Sequence, residues 1–133
     1  MPLMLAAASD AVRVRPLNWS FGWIWILVGF LSGAAIGLRF HRDFWGGYAS
    51  FRRRIVRLGH ISLVALGMLN LLFTMSPWPV PGTVQSNVAS ACFVAGAVLM
   101  PAVCFLTAWR PSMRRLFPIP VAALVAAVVF TVF

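Results

Sequence analysis

LGHISLVALGMLNLLFTMSPWPVPGTVQSNVASACFVAGAVLMPAVCFLTAW, residues 58–109, contains no Asp, Glu, Lys or Arg. A bilayer core about 30 Å thick is crossed by about 20 apolar helical residues, so this run is long enough to cross twice. Its middle, residues 76–87, holds Pro77, Pro79 and Pro81, followed by Gly82 and several polar residues. Proline lacks the backbone N–H and clashes with the preceding turn, so a helix cannot continue through this segment. The run therefore predicts two spans, 57–75 and 88–109, joined by a turn.

The same counting extends outward in both directions. Residues 16–38 are free of charge and predict a span at 19–38. Residues 116–133 are also uncharged and predict a fourth span at 114–133, with Arg114 and Arg115 snorkelling to the headgroups. The expected fold is all-α, a four-transmembrane-helix integral membrane bundle over residues 19–133, preceded by an outer tail of residues 1–18. That tail lacks the basic start and long apolar centre of a signal peptide and is expected to be retained.

Composition agrees with lipid rather than water. The chain is 62% hydrophobic and 10% charged, against about 25% charged residues in soluble domains. A net charge of +9 would suit a nucleic-acid binder if it were spread over one solvated face. Here it falls in short blocks between apolar runs, which excludes nucleic acid as the expected partner and favours anionic lipid. Every basic residue is Arg, a pattern read as nucleotide bias in a GC-rich bacterial genome.

The positive blocks also predict orientation. Arg39, Arg42, Arg52, Arg53, Arg54 and Arg57 lie between the first two spans, and Arg110, Arg114 and Arg115 between the last two. Only Arg13 and Arg15 lie on the opposite side. By the positive-inside rule the arginine-rich side is cytoplasmic in a bacterial inner membrane, and both termini face out. Trp19, Trp23, Trp25, Trp45, Trp78 and Trp109 lie at or near span ends, as an interfacial aromatic belt requires.

Little in the chain promises a reaction. Its two acids are Asp10, in the tail, and Asp43, whose simplest partner is Arg39 or Arg42. No nucleophile–base set, paired carboxylates or metal cluster emerges, so no catalytic residue and no metal site is expected. Cys92 and Cys104 would lie about 18 Å apart along one helix, beyond disulfide reach. Ionisable residues are missing from the span interiors, which argues against a transporter or channel.

The candidate cofactor ligands are His41 and His60. Two histidines at one depth on adjacent helices can hold haem b, with neighbouring arginines pairing to its propionates. His60 alone could ligate a pigment magnesium, although Val56 stands where a small residue would clear the macrocycle. The simpler expectation is that the chain has no cofactor of its own. Aromatic rows such as Phe21, Trp25 and Phe30 can touch pigment, quinone or lipid tails without ligating anything.

Packing signals are clearer. Gly29, Gly33 and Gly37 recur every four residues and let helix backbones approach closely. His60, Gly67 and Asn70 fall near one stripe of the second span. Asn70 would be costly against lipid, so it is expected to hydrogen-bond another helix, contributing about 0.6–2 kcal/mol. Pro101 is expected to kink the third span and free the carbonyl of Ala97.

The run Arg57-Leu-Gly-His60-Ile-Ser-Leu-Val-Ala-Leu-Gly67-Met-Leu-Asn70, after Phe40-His41-Arg-Asp-Phe-Trp45-Gly-Gly-Tyr48, resembles small four-span bacterial membrane proteins of unknown function. The resemblance covers about a quarter of the chain and implies no catalytic residue. Taken with the poverty of ligands, it leads to the expectation of a non-enzymatic accessory subunit of a larger membrane bioenergetic complex, a photosynthetic reaction centre with its antenna or a respiratory oxidase. The arginines 39, 42, 52–54 and 57 would touch headgroups or a partner. A bis-histidine b-type cytochrome and a freestanding membrane regulator are the competing expectations.

Overall fold

The computed structural model describes residues 15–39, 46–47 and 49–133. Four long helices follow one another: α1 (Pro16–Gly37), α2 (Phe51–Met75), α3 (Val84–Trp109) and α4 (Pro118–Val132). A 3-10 helix, Pro111–Leu116, precedes α4, and the two together form the last span. All four spans are long and apolar enough to cross a membrane, and no strand occurs among the described residues. This is the architecture of a multi-pass membrane protein.

The helices begin where capping chemistry allows, ahead of the starts expected from hydropathy. Pro16 occupies the first turn of α1, where its missing N–H has no partner to lose. Ser50 caps α2 by accepting the N–H of Arg53, and Thr83 caps α3 by accepting that of Ser86. Relative to the expected starts at 19, 57 and 88, the helices begin three, six and four residues earlier. Asn18 becomes part of α1, and Arg52, Arg53 and Arg54 become the first turn of α2. The entry to the last span is a 3-10 helix rather than an α-helix from 114. Pro118 and Pro120 remove two backbone donors there.

Helices pack with their sequence neighbours: α1 on α2, α2 on α3, and α3 on α4. α1 also reaches α3 at a few points, but no Cα of α1 comes within 8 Å of a Cα of α4. The described helices therefore form an open series with α2 and α3 at its centre. In the most apolar 18-residue stretch of each of those two spans 39% of the residues are buried, against 17% in α1 and 11% in the last span. Outward faces of α1 and α4 carry Trp23, Ile24, Leu27, Phe30, Leu31, Val125 and Val128, all exposed, as lipid contact permits. A small apolar core joins the other three helices, with Phe73 of α2 and Phe93 of α3 at 4.9 Å between ring centroids, packed with Ala89 and with Ala127 of α4.

Each seam depends on missing side chains. A Cβ on Gly22 would lie 2.8 Å from the carbonyl oxygen of Gly67, and one on Gly67 would lie 2.9 Å from that of Gly22. Along the same seam Gly29 faces Val64 and Gly33 faces His60, whereas Gly37 has open space. Gly59 closes α2 on Cys104 and Phe105 of α3, and Gly96 closes α3 on Leu124 of α4. Lipid offers no hydrophobic drive for helix association, so close van der Waals approach at these glycines takes its place. Gly67→Ala, whose methyl would meet the backbone of Gly22 and Ile26 as well as the Ile26 side chain, should therefore cost about 1–3 kcal/mol. Gly37→Ala should change stability by less than about 0.5 kcal/mol. Reversible unfolding in mixed detergent–lipid micelles measures both.

Candidate functional site

The stripe of α2 that carries His60, Gly67 and Asn70 faces α1. Each residue meets a different partner there: Ser32 and Gly33 at His60, Gly22 at Gly67, and Asn18 at Asn70. Asn18 and Asn70 are fully buried, 0% and 1% exposed. The Asn18 amide Nδ2 donates to Asn70 Oδ1 at 2.8 Å, and Ser90 of α3 donates its hydroxyl to Asn18 Oδ1. Asn70 Nδ2 in turn donates to the Leu66 carbonyl at 2.9 Å. One connected set of side chains thus ties three helices near the end of the molecule that holds the start of α1.

Arg15 closes that end. Its Nε donates to Ser86 Oγ at 3.0 Å, while its two terminal nitrogens donate to the carbonyls of Phe73, Ser76 and Pro79. The guanidinium carbon also lies 3.8 Å from the Phe73 ring centroid. Phe73 and Ser76 belong to the last turn and cap of α2, where unpaired carbonyls and the negative end of the helix dipole favour a cation. Arg15 is only 7% exposed, and burial pushes its guanidinium below the ordinary value. It nevertheless stays charged, because arginine titrates far above any physiological pH.

α1 makes one further link, to α3. Pro101 cannot donate to the Ala97 carbonyl, and that carbonyl accepts the indole N–H of Trp25 at 2.9 Å. The ring of Trp25 is itself stacked on Phe21, with centroids 4.7 Å apart. An aromatic row read from sequence as a surface for tails thus includes a tryptophan that reaches inward.

His60 is half-buried between α1 and α2. The Ser32 hydroxyl donates to the Gly29 carbonyl at 2.8 Å, and its oxygen lies 3.0 Å from His60 Nδ1. Ser32 Oγ thus bridges the α1 backbone and the Nδ1 edge of the ring, and which of the two donates between Ser32 and His60 is set by the imidazole tautomer. The ring edge rests on Gly33, where a Cβ would lie 2.6 Å from Cε1 and 3.0 Å from Nε2. His41, the other candidate ligand, lies outside the described residues, as do Arg42 and Asp43. Among the described residues no group of three His, Cys, Asp or Glu could hold a metal.

The opposite end of the molecule is basic. Arg39 follows α1, Arg52, Arg53, Arg54 and Arg57 stand at the start of α2, Arg110 caps α3, and Arg114 and Arg115 lie on the 3-10 helix. No acid stands in the first turn of α2, so three arginines sit at the positive end of its dipole. Arg39, Arg52, Arg54, Arg110, Arg114 and Arg115 are exposed, and Arg53 and Arg57 are half-buried, with Arg57 Nε donating to the Arg53 carbonyl at 3.4 Å.

Sequence reasoning assigned no role to Gly22, Arg15 or Asn18, and it did not find the partners Ser32, Ser86 and Ser90. Pro16 was the available signal, since a proline just before an apolar run marks a helix start and places Asn18 inside the membrane-facing helix. Arg15→Met should cost about 1–3 kcal/mol by stranding carbonyls that it now satisfies. Trp25→Phe should cost about 1 kcal/mol through the Ala97 carbonyl. Both are read from unfolding midpoints in micelles of fixed composition. The role of this arrangement has to be argued from its own chemistry, because no protein-family model, no curated protein and no solved structure matches the chain.

Proposed function

We propose that the protein is a non-catalytic accessory subunit of a larger bioenergetic complex in a bacterial inner membrane. A photosynthetic reaction centre with its antenna, or a respiratory oxidase, is the kind of complex meant. The observation that carries this reading is how the buried polar groups are used. Arg15, Asn18, Asn70 and Ser86 all hold helices together, and Thr107 Oγ1 is the one buried side-chain oxygen or nitrogen without a hydrogen-bond partner among the described residues. A lone threonine hydroxyl, with no base beside it, is no nucleophile.

The open helix series supports the same reading. α1 and α4 each use one side for the neighbouring helix and leave broad apolar faces, the form expected of a subunit that lies beside others in the bilayer. Orientation follows from charge. The arginine end faces the cytoplasm, so the Arg15–Asn18 end and both termini face out. On this reading Arg39, Arg42, Arg52, Arg53, Arg54 and Arg57 meet headgroups or an acidic partner surface.

Affinity purification of the tagged chain from native membranes in mild detergent should bring down larger subunits in fixed ratio. Recovery of the chain alone would favour a freestanding regulator. Gly33→Leu, which drives a side chain into His60, should reduce that recovery severalfold and shift the complex on native gels. A reduced-minus-oxidised spectrum of the purified chain should be flat. A haem band lost in His60→Ala would replace this reading with a b-type cytochrome, for which the favouring observation is that Ser32 engages Nδ1 of His60 and not Nε2.

A further inference from the structure

The 3-10 helix that leads into α4 packs against α3. The contact of Gly96 with Leu124 sets the register of the α3–α4 seam. Counting back from it at about 1.5–2 Å per residue places Arg114 and Arg115 about one turn inside the end of α3. The α2–α3 seam is set by Gly59 against Cys104. Six residues further along each helix, at about the same depth, stand Arg53 on α2 and Arg110 on α3. Positive charge therefore runs across three adjacent helix ends, through Arg52 and Arg54, then Arg110, then Arg114 and Arg115.

These five side chains are exposed. Trp109 is 75% exposed and Phe51 48% exposed at the same level, the placement of residues at a headgroup boundary. Counted so, Arg114 and Arg115 lie at the side of α3 near its end, with the apolar faces of the spans beside them, the level at which the phosphate of an acyl-bearing molecule lies.

We propose that this end binds an anionic phospholipid carrying two phosphates, one held by Arg114 and Arg115 and the other by Arg110 with Arg52 or Arg54. Arginine suits the task because its planar fork donates two parallel hydrogen bonds to one phosphate, and two phosphates neutralise two separated positive groups with a single molecule. The inference rests on the membrane-spanning reading and not on membership of any complex, so a chain that purifies alone leaves it standing.

The full chain, purified in detergent and stripped of lipid, is titrated with diphosphatidylglycerol, with phosphatidylglycerol at matched phosphate, with phosphatidylcholine and with inorganic phosphate. Bound lipid is read by native mass spectrometry. Diphosphatidylglycerol should bind at least about tenfold more tightly per phosphate than phosphatidylglycerol, and the double variant Arg114→Gln, Arg115→Gln should lose about tenfold. Circular dichroism checks that the variant stays helical. Should it unfold, Arg114→Lys with Arg115→Lys keeps the charge without the fork and should lose about threefold or more. Equal affinity for the two anionic lipids, displacement by millimolar inorganic phosphate, or unchanged binding in a folded variant would each overturn the proposal.

Discussion

The hydrogen bond from Asn18 to Asn70 is the constraint on which the arrangement of the first three helices depends. In lipid an apolar helix gains nothing by touching another apolar helix, so the position of a crossing is set by polar pairs and by close backbone approach. Asn18 provides the pair on α1, Gly22 provides the approach one turn later, and Ser90 carries the contact to α3. With that crossing fixed, Gly29 and Gly33 fall against Val64 and His60, and Trp25 falls within reach of the carbonyl that Pro101 leaves free. Arg15 then lies over the end of α2. Its charge is tolerated there because it meets carbonyls and a helix C-terminus rather than hydrocarbon.

Polar chemistry is thus divided between the two ends of the molecule for opposite reasons. At the α1 start it is buried and internally satisfied, and it holds helices together. At the other end the described charged groups are arginines, most of them exposed. The open series of helices adds a lateral direction. α2 and α3 are occupied on two sides by neighbours, while α1 and α4 retain apolar faces that only lipid or another membrane protein can cover.

How far this was legible from sequence depended on the length scale of the signal. The four spans were readable because the uncharged runs are long and the Pro77–Pro79–Pro81 break is severe. The inward stripe of His60, Gly67 and Asn70 was readable because helical periodicity alone places them together. Helix starts were not, because Ser50, Thr83 and Pro16 set them through single caps that hydropathy ignores. Partners were harder still. Nothing in the spacing of Asn18 or Ser32 says which residue of another helix stands opposite, and Arg15 reads in sequence as one more charge in a tail. Pro101 was a signal for a free Ala97 carbonyl, but the donor, Trp25, is 72 residues away.

The central claim is that Asn18 and Asn70 stabilise the protein through each other. A double-mutant cycle on Asn18→Leu and Asn70→Leu, with unfolding measured by steric trapping in bicelles, isolates that pair from the packing lost at each site. A favourable coupling of about 0.6–1.7 kcal/mol is predicted, the range found for side-chain hydrogen bonds between membrane helices. Strictly additive single and double variants would contradict the claim and leave the glycine contacts to hold α1 against α2.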